Sequence, residues 1–262
     1  MYKHAGQILF SPNDLVAFLG CQHRTFLDLL HLEIRLEKAQ DDAQAILLQE
    51  LGNAHEREFL DLQISQGITV VEIDQNTPLE QQVACTRQAM EIGSQLIYQG
   101  ALQDGDWHGY ADFLRRVDES SHFGSYSYEI VDTKLALQTQ GKHVIQLSLY
   151  AELLQQVQGT RCSHIYVVLG DSTEEKLNLE DFAHYTSAIK TRFLEFVSNP
   201  PTESFPYPCN ACPTCPWRNI CNEQWEQSDH LSHVANIRSD QVKKLEDSGI
   251  RTLEELAESQ GQ

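Results

Sequence analysis

The chain has 262 residues, which is long enough for one large domain, or for one domain with a small appendage, that buries a core. Its formal net charge of −19 argues against a protein that coats nucleic acid through a broad basic surface. The first residues lack the basic and apolar regions of a signal peptide, and no later stretch approaches the roughly 18 apolar residues that span a bilayer, so we expect a cytoplasmic protein with no membrane partner.

Helical spacing predicts three helices in the first part of the chain. The first, SPNDLVAFLGCQHRTFLDLLHLEIRLE, has Ser11 as N-cap and Pro12 in its first turn, and Cys21 lies within it or just after it. The second is AQAILLQELGNAHEREFLDLQISQG, and ITVVEI then indicates a short strand. The third is PLEQQVACTRQAMEIGSQLIYQGAL, which we interpret as one amphipathic helix.

In the centre of the chain the spacing of the apolar residues changes from a helical to a strand-like pattern. WHGYADFLRRV and SYSYEIVDTKLAL are rich in aromatic and β-branched residues and flank the polar loop DESSHFGS, which predicts an antiparallel hairpin. KHVIQLSLYAELLQQVQG indicates a helix, SHIYVVLG a buried strand, and NLEDFAHYTSAIKTRFLEFVSNPP a helix ended by prolines. We therefore predict an α/β fold with a mixed sheet flanked by helices, followed by a small C-terminal helical unit.

The hairpin carries the candidate chemistry. Asp132 and Lys134 are two residues apart on a strand, so their side chains project from one face. Antiparallel pairing places Asp112 nearly opposite Asp132, and two facing carboxylates are destabilising unless a cation lies between them. Oxygen ligands of this kind suit Mg²⁺ or Mn²⁺, and a neighbouring lysine suits phosphodiester hydrolysis. The alternative is a solvated Asp and Lys on the outer face of a strand.

Three segments together, HGYADFL, YEIVDTKLA and QLSLYAELL, resemble motifs of the PD-(D/E)XK nucleases. They are most similar to the RecB-like branch, which includes the RecB and AddB nuclease domains and the nucleases of CRISPR adaptation, and within it to bacterial RecB-like proteins with a terminal cysteine cluster. The resemblance spans Ser11 to about Trp225. It implies a restriction-endonuclease-like fold and a Mg²⁺- or Mn²⁺-dependent deoxyribonuclease of the kind that serves DNA repair.

The same resemblance assigns roles to individual residues. Asp112 and Asp132 match the two acidic metal ligands, the carbonyl of Thr133 also faces the metal, and Lys134 matches the motif lysine. Gln146 and Tyr150 match a Gln-x-x-x-Tyr motif, and their spacing puts both on one helix face; the alternative for this pair is a polar patch on a core-packing helix. His55 matches an upstream histidine ligand, although a lone helical histidine is more often a surface or capping residue. Glu56 and Glu129 are left out of the predicted site.

The cysteines predict a second centre. Seven cysteines in a chain without secretory features argue for metal binding or free thiols rather than disulfides. By resemblance to the iron-sulfur members of the branch, Cys21 joins the terminal set Cys212, Cys215 and Cys221 in a 4Fe–4S cluster that acts as a structural clamp. Cys209 is additional to that pattern and leaves open a local zinc site made of Cys209, Cys212, Cys215 and Cys221, with no part for Cys21.

These observations give one expected domain organisation and one expected function. Residues 1–228 form the nuclease domain with its iron-sulfur clamp, and residues 229–262 form a helical segment that resembles a helix-hairpin-helix unit. The expected substrate is DNA, either single-stranded or at its ends, and a helicase or a further catalytic module is the expected partner. The alternative function is a non-catalytic DNA-binding or assembly module that has a degenerate nuclease fold stabilised by a metal cluster. We expect the chain to be either a natural short form or a truncation.

Overall fold

The computed structural model describes residues 1–259, and these group into two compact units. The first unit comprises Met1–Val16 and Ile46–Phe193, and the second comprises Ala17–Ala45 and the chain from Leu194 onward. The predicted domains 1–228 and 229–262 stay a prediction, because this grouping reflects packing and not function. The strands are β1 (Tyr2–His4), β2 (Gln7–Leu9), β3 (Val70–Glu72), β4 (Leu96–Asp104), β5 (Trp107–Val117), β6 (Ser127–Thr133), β7 (His164–Val168) and β8 (Glu174–Asn178). The α-helices are α1 (Pro12–Gly20), α2 (Gln22–Glu33), α3 (Ala43–Ser65), α4 (Leu79–Glu91), α5 (Gly141–Gln158), α6 (Ala183–Ser198), α7 (Arg218–Gln227), α8 (Ser239–Asp247) and α9 (Leu253–Glu258).

The first unit is built on a six-stranded sheet with the order β3-β4-β5-β6-β7-β8. The pairs β3–β4 and β6–β7 are parallel, and the other neighbouring pairs are antiparallel. Helix α5 connects the parallel strands β6 and β7, as a parallel connection requires. This mixed sheet flanked by helices confirms the predicted α/β class and is consistent with a restriction-endonuclease-like fold.

The core of this unit lies around the central strand β6, where every residue is buried. Phe59 and Leu60 of α3 pack onto Phe113 and Val131 of the sheet, and the rings of Phe59 and Phe113 meet edge to face at 4.9 Å. Helix α5 is buried over most of its length, which explains why its hydrophobic residues do not form a narrow stripe. The sheet thus holds β5 and β6 rigidly between two helices.

The interpretation of Pro78–Leu102 as one helix is wrong in its second half. Helix α4 ends at Glu91, and β4 begins at Leu96 and pairs along β5. Gly93 stops the helix because its φ of +75° is a left-handed conformation that glycine adopts without steric cost. Leu96 and Ile97 are then fully buried in the sheet, so tertiary packing decides the structure of a segment that helical spacing alone describes almost as well.

Two further boundaries differ from the predictions. The first predicted helix is two helices, α1 and α2, separated at Cys21, whose extended backbone (φ −163°) makes it the N-cap of α2. Strand β6 ends at Thr133, so Lys134 follows the strand and does not lie within it. The short strands β1, β2 and β8 were not predicted. No helix among residues 1–259 is both long and apolar enough to cross a membrane.

The second unit has a small core of its own. Leu27 of α2 packs with Trp217, Trp225, Cys215 and Cys221. Both indoles satisfy their N–H groups: Trp217 Nε1 donates to Asp28 Oδ1 at 2.8 Å, and Trp225 Nε1 donates to the Pro206 carbonyl at 2.8 Å. The two tryptophans therefore tie the cysteine-containing segment to α2 within this unit.

Phe113→Ala should lower the free energy of unfolding by about 3–5 kcal/mol, because it leaves a cavity between the sheet and α3. Urea denaturation followed by circular dichroism measures the change. The control is Leu62→Ala. Leu62 lies on α3, is 48% exposed, and its substitution should change the free energy of unfolding by less than about 0.5 kcal/mol. Equal effects of the two substitutions would contradict the described core.

Candidate functional site

The centre of the candidate site lies where strands β5 and β6 part. Their ladder runs from the Val117–Ser127 pair to the Phe113–Val131 pair, so Asp112 and Asp132 are the next residues beyond its last pair. Asp132 is 1% exposed, and Asp112 is half-buried. The structure therefore brings together two carboxylates that are twenty residues apart in sequence, as antiparallel pairing predicts.

Asp112 takes over hydrogen bonds where the ladder stops. Its Oδ2 accepts a hydrogen bond from the Thr133 backbone N–H at 2.9 Å and another from the Thr133 hydroxyl at 3.1 Å. These bonds fix one oxygen of Asp112 against the end of β6. The backbone of Thr133 is held in turn by pairing with Val168 of β7.

Asp132 is buried with little hydrogen bonding to stabilise its charge. Lys134 Nζ forms an ion pair with Asp132 Oδ2, but among residues 1–259 no group donates a well-directed hydrogen bond to either Asp132 oxygen. Burial first, and then the charge of Asp112, raise the pKa of Asp132 far above its usual range despite the lysine. Burial lowers the pKa of Lys134, but Asp132 and Asp112 outweigh it and hold that pKa above its ordinary value. The lysine therefore stays charged beside these carboxylates.

Glu56, which the sequence prediction left out, belongs to this group. The Gln99 side-chain amide donates to Glu56 Oε1, and burial followed by the charge of Asp112 raises the pKa of Glu56. Lys134 also acts electrostatically on Glu56. A signal for this position was present in the sequence, because Glu56 precedes the core residue Phe59 by three positions and so shares its helix face.

His55, the preceding residue on α3, is buried at the same end of the sheet. Its Nε2 lies 3.4 Å from the Val168 carbonyl oxygen, a long contact. The same carbonyl accepts the Lys134 backbone N–H at 2.8 Å. His55 is therefore placed at the Thr133–Lys134 end of β6, where the resemblance predicted a ligand, but its role stays a prediction.

Gln146 and Tyr150 approach the carboxylates from α5. The Tyr150 hydroxyl is hydrogen-bonded to Gln146, and burial, assisted by the charges of Asp112 and Asp132, raises the Tyr150 pKa, so this phenol remains protonated. The ring reaches the sheet only because residue 109 is glycine: a Cβ there would lie 2.4 Å from Tyr150 Cε1. A hydrogen-bonding pair thus stands beside the acidic group.

The donor atoms of this site fit a hard divalent cation. Among residues 1–259, no three His, Cys, Asp or Glu side chains are already close enough together to hold a metal ion. Nevertheless, the oxygens of Asp132 are buried without a hydrogen-bond partner in the described part of the chain, and the charge of Asp112 acts on both Asp132 and Glu56. An oxygen-rich group of this kind matches the ligands that Mg²⁺ and Mn²⁺ prefer.

The second unit contains a thiol-lined cavity of about 180 Å³. All seven cysteines of the chain are free thiols. The backbone N–H of Cys209 donates to Cys212 Sγ at 3.2 Å, and the sulfurs of these two residues are 3.6 Å apart. The cavity brings together the five cysteines that were predicted to form a cluster or a zinc site, namely Cys21, Cys209, Cys212, Cys215 and Cys221.

Four of these thiols are protonated near neutral pH in the metal-free chain, because burial raises their pKa values. Burial raises the pKa of Cys221 to about 12 and that of Cys212 to about 11, and it also raises the pKa values of Cys21 and Cys215. Because a thiolate is the form that binds metal, binding of a metal ion or cluster in this cavity must release protons from the thiols. Burial likewise lowers the pKa of His23, which also lines the cavity, to about 4.

Asp132→Asn should stabilise the metal-free protein at pH 8 by about 1–3 kcal/mol, the order for a buried polar group without a partner. The raised pKa means that the folded state binds more protons than the unfolded state. The stability of the wild type is therefore full below a pH of about 4 and falls as the pH rises toward the raised value. Urea denaturation in EDTA should show the difference at pH 8 and a smaller one at pH 5. Asp118→Asn, in the exposed hairpin loop, is the control and should show no such trend.

Comparison with known proteins agrees with this geometry. A search of curated proteins finds no match. The family model described as the PD-(D/E)XK nuclease superfamily matches residues 108–222, a region that includes Asp112, Asp132, Lys134, Gln146 and Tyr150. Nucleases of this superfamily typically use Mg²⁺ or Mn²⁺. Residues 108–222 therefore carry a domain of the PD-(D/E)XK nuclease superfamily, which indicates a nuclease and hence a hydrolase.

Proposed function

We propose that this chain is a metal-dependent DNA nuclease of the RecB-like branch, acting on single-stranded DNA or on DNA ends. The observation that carries the proposal is the buried Asp132 beside the half-buried Asp112 at the end of the β5–β6 ladder, with Lys134 paired to Asp132. A carboxylate such as Asp132, which lacks well-directed hydrogen bonds, is costly to bury in a protein that does not use it. The superfamily match supports a nuclease, and the choice of DNA rests on the resemblance of the motifs.

In this proposal five residues hold a divalent ion: Asp112, Asp132 and Glu56 through carboxylates, Thr133 through its carbonyl and His55 through its ring. When bound, Mg²⁺ or Mn²⁺ would supply an activated water and positive charge at the scissile phosphate. The hydrogen bonds from Thr133 orient Asp112, and the bond from Gln99 orients Glu56. The chain therefore positions at least two of its proposed ligands before any ion arrives.

Lys134, Gln146 and Tyr150 act on the substrate in this proposal. The Lys134 ammonium remains charged and stabilises the negative charge that develops on the phosphate. Gln146 and the protonated Tyr150 hydroxyl offer hydrogen bonds to the nucleic-acid backbone beside the carboxylates. Because the whole chain carries a net charge of −19, contact with DNA must be confined to this local region.

We further propose that the thiol-lined cavity holds a 4Fe–4S cluster bound by Cys21, Cys212, Cys215 and Cys221. The choice of a cluster over a local zinc site rests on the resemblance of the cysteine spacing and on the position of Cys21 in the wall of the same cavity as the terminal cysteines. The cluster would join the Ala17–Ala45 segment to the C-terminal segment within the second unit. Its role is a structural clamp, and Cys209 is the spare or alternative ligand.

A reducing compartment such as the cytosol suits this assignment, because free thiols and iron-sulfur clusters persist there. The resemblance also extends the proposal to a partner, either a helicase or a further catalytic module that delivers DNA ends.

Asp132→Ala and Lys134→Ala should each reduce cleavage of labelled single-stranded DNA by about 100-fold or more, because they remove a metal ligand and the charge that stabilises the transition state. Glu56→Gln should reduce the cleavage rate less, and excess Mn²⁺ should partly restore the rate of this variant. The measurement is the cleavage rate of anaerobically purified protein with Mg²⁺ or Mn²⁺, and with EDTA as the metal-free reference.

Lys142→Ala is the matched control, since Lys142 is exposed at the start of α5 and should leave the rate unchanged. An inactive wild type, or unaltered cleavage by Asp132→Ala and Lys134→Ala, would contradict the enzyme and favour a non-catalytic DNA-binding module.

Cys21→Ala and Cys215→Ala should each abolish most bound iron and the broad absorption near about 400 nm that thiolate-bound iron-sulfur centres show. Cys209→Ala should have a mild effect, because four thiolates remain. Iron, sulfide and zinc analysis of each purified variant makes the comparison. The cluster would be wrong, and the local zinc site right, if the protein contains one zinc and no sulfide and if metal binding requires Cys209 but not Cys21.

A further inference from the structure

His23 is a buried histidine on the wall of the thiol-lined cavity. It lies in the first turn of α2, two residues after Cys21, and is 5% exposed. Its Nδ1 is 2.8 Å from Ser204 Oγ, whereas its Nε2 is buried without a hydrogen-bond partner among residues 1–259. A buried ring nitrogen left unpaired costs about 1–3 kcal/mol, so a partner that the chain itself does not supply is expected.

The contact with Ser204 is compatible with a tautomer of His23 in which Nε2 carries the ring proton. A neutral imidazole carries one N–H, and a serine hydroxyl can donate its proton to the other nitrogen. If Ser204 donates to Nδ1, the ring proton lies on Nε2, which then needs an acceptor. In the opposite tautomer Nδ1–H would donate to Ser204 and Nε2 would have the free lone pair of a metal-ligating histidine. Because four cysteines already supply one ligand for each iron of the proposed cluster, the proposal uses the tautomer with its proton on Nε2.

The cavity is electrostatically suited to an anionic sulfur centre. Arg24 and Arg218 line it, and no Asp or Glu is among the residues of its wall. This is notable in a chain with 38 acidic and 19 basic residues. Arg24 Nε, like His23 Nε2, is buried without a hydrogen bond, although it lies 3.8 Å from Asp28 Oδ2. Four thiolates with iron and sulfide carry net negative charge, and their sulfurs accept hydrogen bonds.

One sulfur contact of this type already exists. The Arg24 backbone N–H donates to Cys21 Sγ at 3.4 Å, where Cys21 caps α2. The first turn of α2 therefore presents a cysteine together with His23 Nε2 and Arg24 Nε, two buried nitrogens that have no hydrogen-bond partner among residues 1–259. Another buried histidine, His108, also has an unpartnered ring nitrogen, but it packs against Tyr2 and Tyr110 and does not line this cavity.

We infer that His23 donates a hydrogen bond through Nε2 to a sulfur of the proposed cluster, and so raises the reduction potential of the cluster and slows its loss of iron. This positioning role rests on the 4Fe–4S cluster proposed above. A hydrogen bond to sulfur stabilises the more negative, reduced state, which is why it raises the potential.

Three substitutions of His23 in the full-length, anaerobically purified protein test the inference. His23→Leu removes the donor and should shift the reduction potential to more negative values and speed iron release to a chelator by about 10-fold. His23→Gln keeps an amide N–H near the position of Nε2 and should behave like the wild type. His23→Asn places its amide near the position of Nδ1 and should behave like His23→Leu. The control, His108→Gln, should change neither quantity.

The outcomes separate the inference from the proposals beneath it. In one outcome the wild type binds four iron and four sulfide per chain and yet matches His23→Leu in reduction potential and in iron release. That result overturns the hydrogen bond but not the cluster. A wild type without iron and sulfide overturns the cluster and this inference together, and DNA cleavage is measured independently of both.

A second measurement needs no variant, in case His23→Leu does not fold. Pulsed electron paramagnetic resonance of the reduced wild type, labelled with nitrogen-15 in its histidines, should show a weak coupling from one histidine nitrogen. The absence of coupling overturns the hydrogen bond. A coupling of the size seen for direct iron–nitrogen bonds also overturns it, because His23 would then be a ligand and not a donor.

Discussion

The structure depends on the burial of the Asp132 carboxylate beside that of the half-buried Asp112, at the point where β5 and β6 part. Asp132 is excluded from water and Asp112 is fixed by Thr133. Burial, and then the charge of Asp112, raise the pKa of Asp132. Folding tolerates this arrangement because Lys134 supplies one positive charge, but a single ammonium leaves both Asp132 oxygens without directed hydrogen bonds. A divalent cation bound as proposed would offset the remaining repulsion, so the same feature that weakens the metal-free protein supports the proposed chemistry.

The two candidate centres divide the metal chemistry of the chain by donor type. The first unit offers carboxylate and carbonyl oxygens, which prefer hard ions, and the second unit offers five thiols, which prefer iron-sulfur clusters or zinc. Because the preferences differ, Mg²⁺ or Mn²⁺ does not compete for the cavity, and iron or zinc has little advantage among the oxygens. Each centre can therefore be tested without disturbing the ligands of the other.

The sequence predicts the central hairpin well because period-two patterning and antiparallel register are local properties. They place Asp112 opposite Asp132 without knowledge of the rest of the fold. Strand β4 was missed because LIYQGAL follows a true helix and is compatible with either structure, so only its place between β3 and β5 decides it. Glu56 was missed because the side of α3 that faces the sheet is known only once Phe59 is seen to pack on it.

Gln99 shows how the sheet is distorted to complete the acidic group. It lies inside β4 with a φ of +56°, and the pairing of β4 with β5 passes from Tyr98–Phe113 to Gly100–Ala111, omitting Gln99 and Asp112. Such a backbone conformation costs a non-glycine residue about 1–3 kcal/mol. The kink lets the Gln99 side chain donate to Glu56, while the Gln99 carbonyl accepts from Gln75 Nε2 at 3.1 Å. The pairing of β5 is thus interrupted at Asp112 toward both β4 and β6. This interruption brings Glu56 and Asp132 near the Asp112 carboxylate.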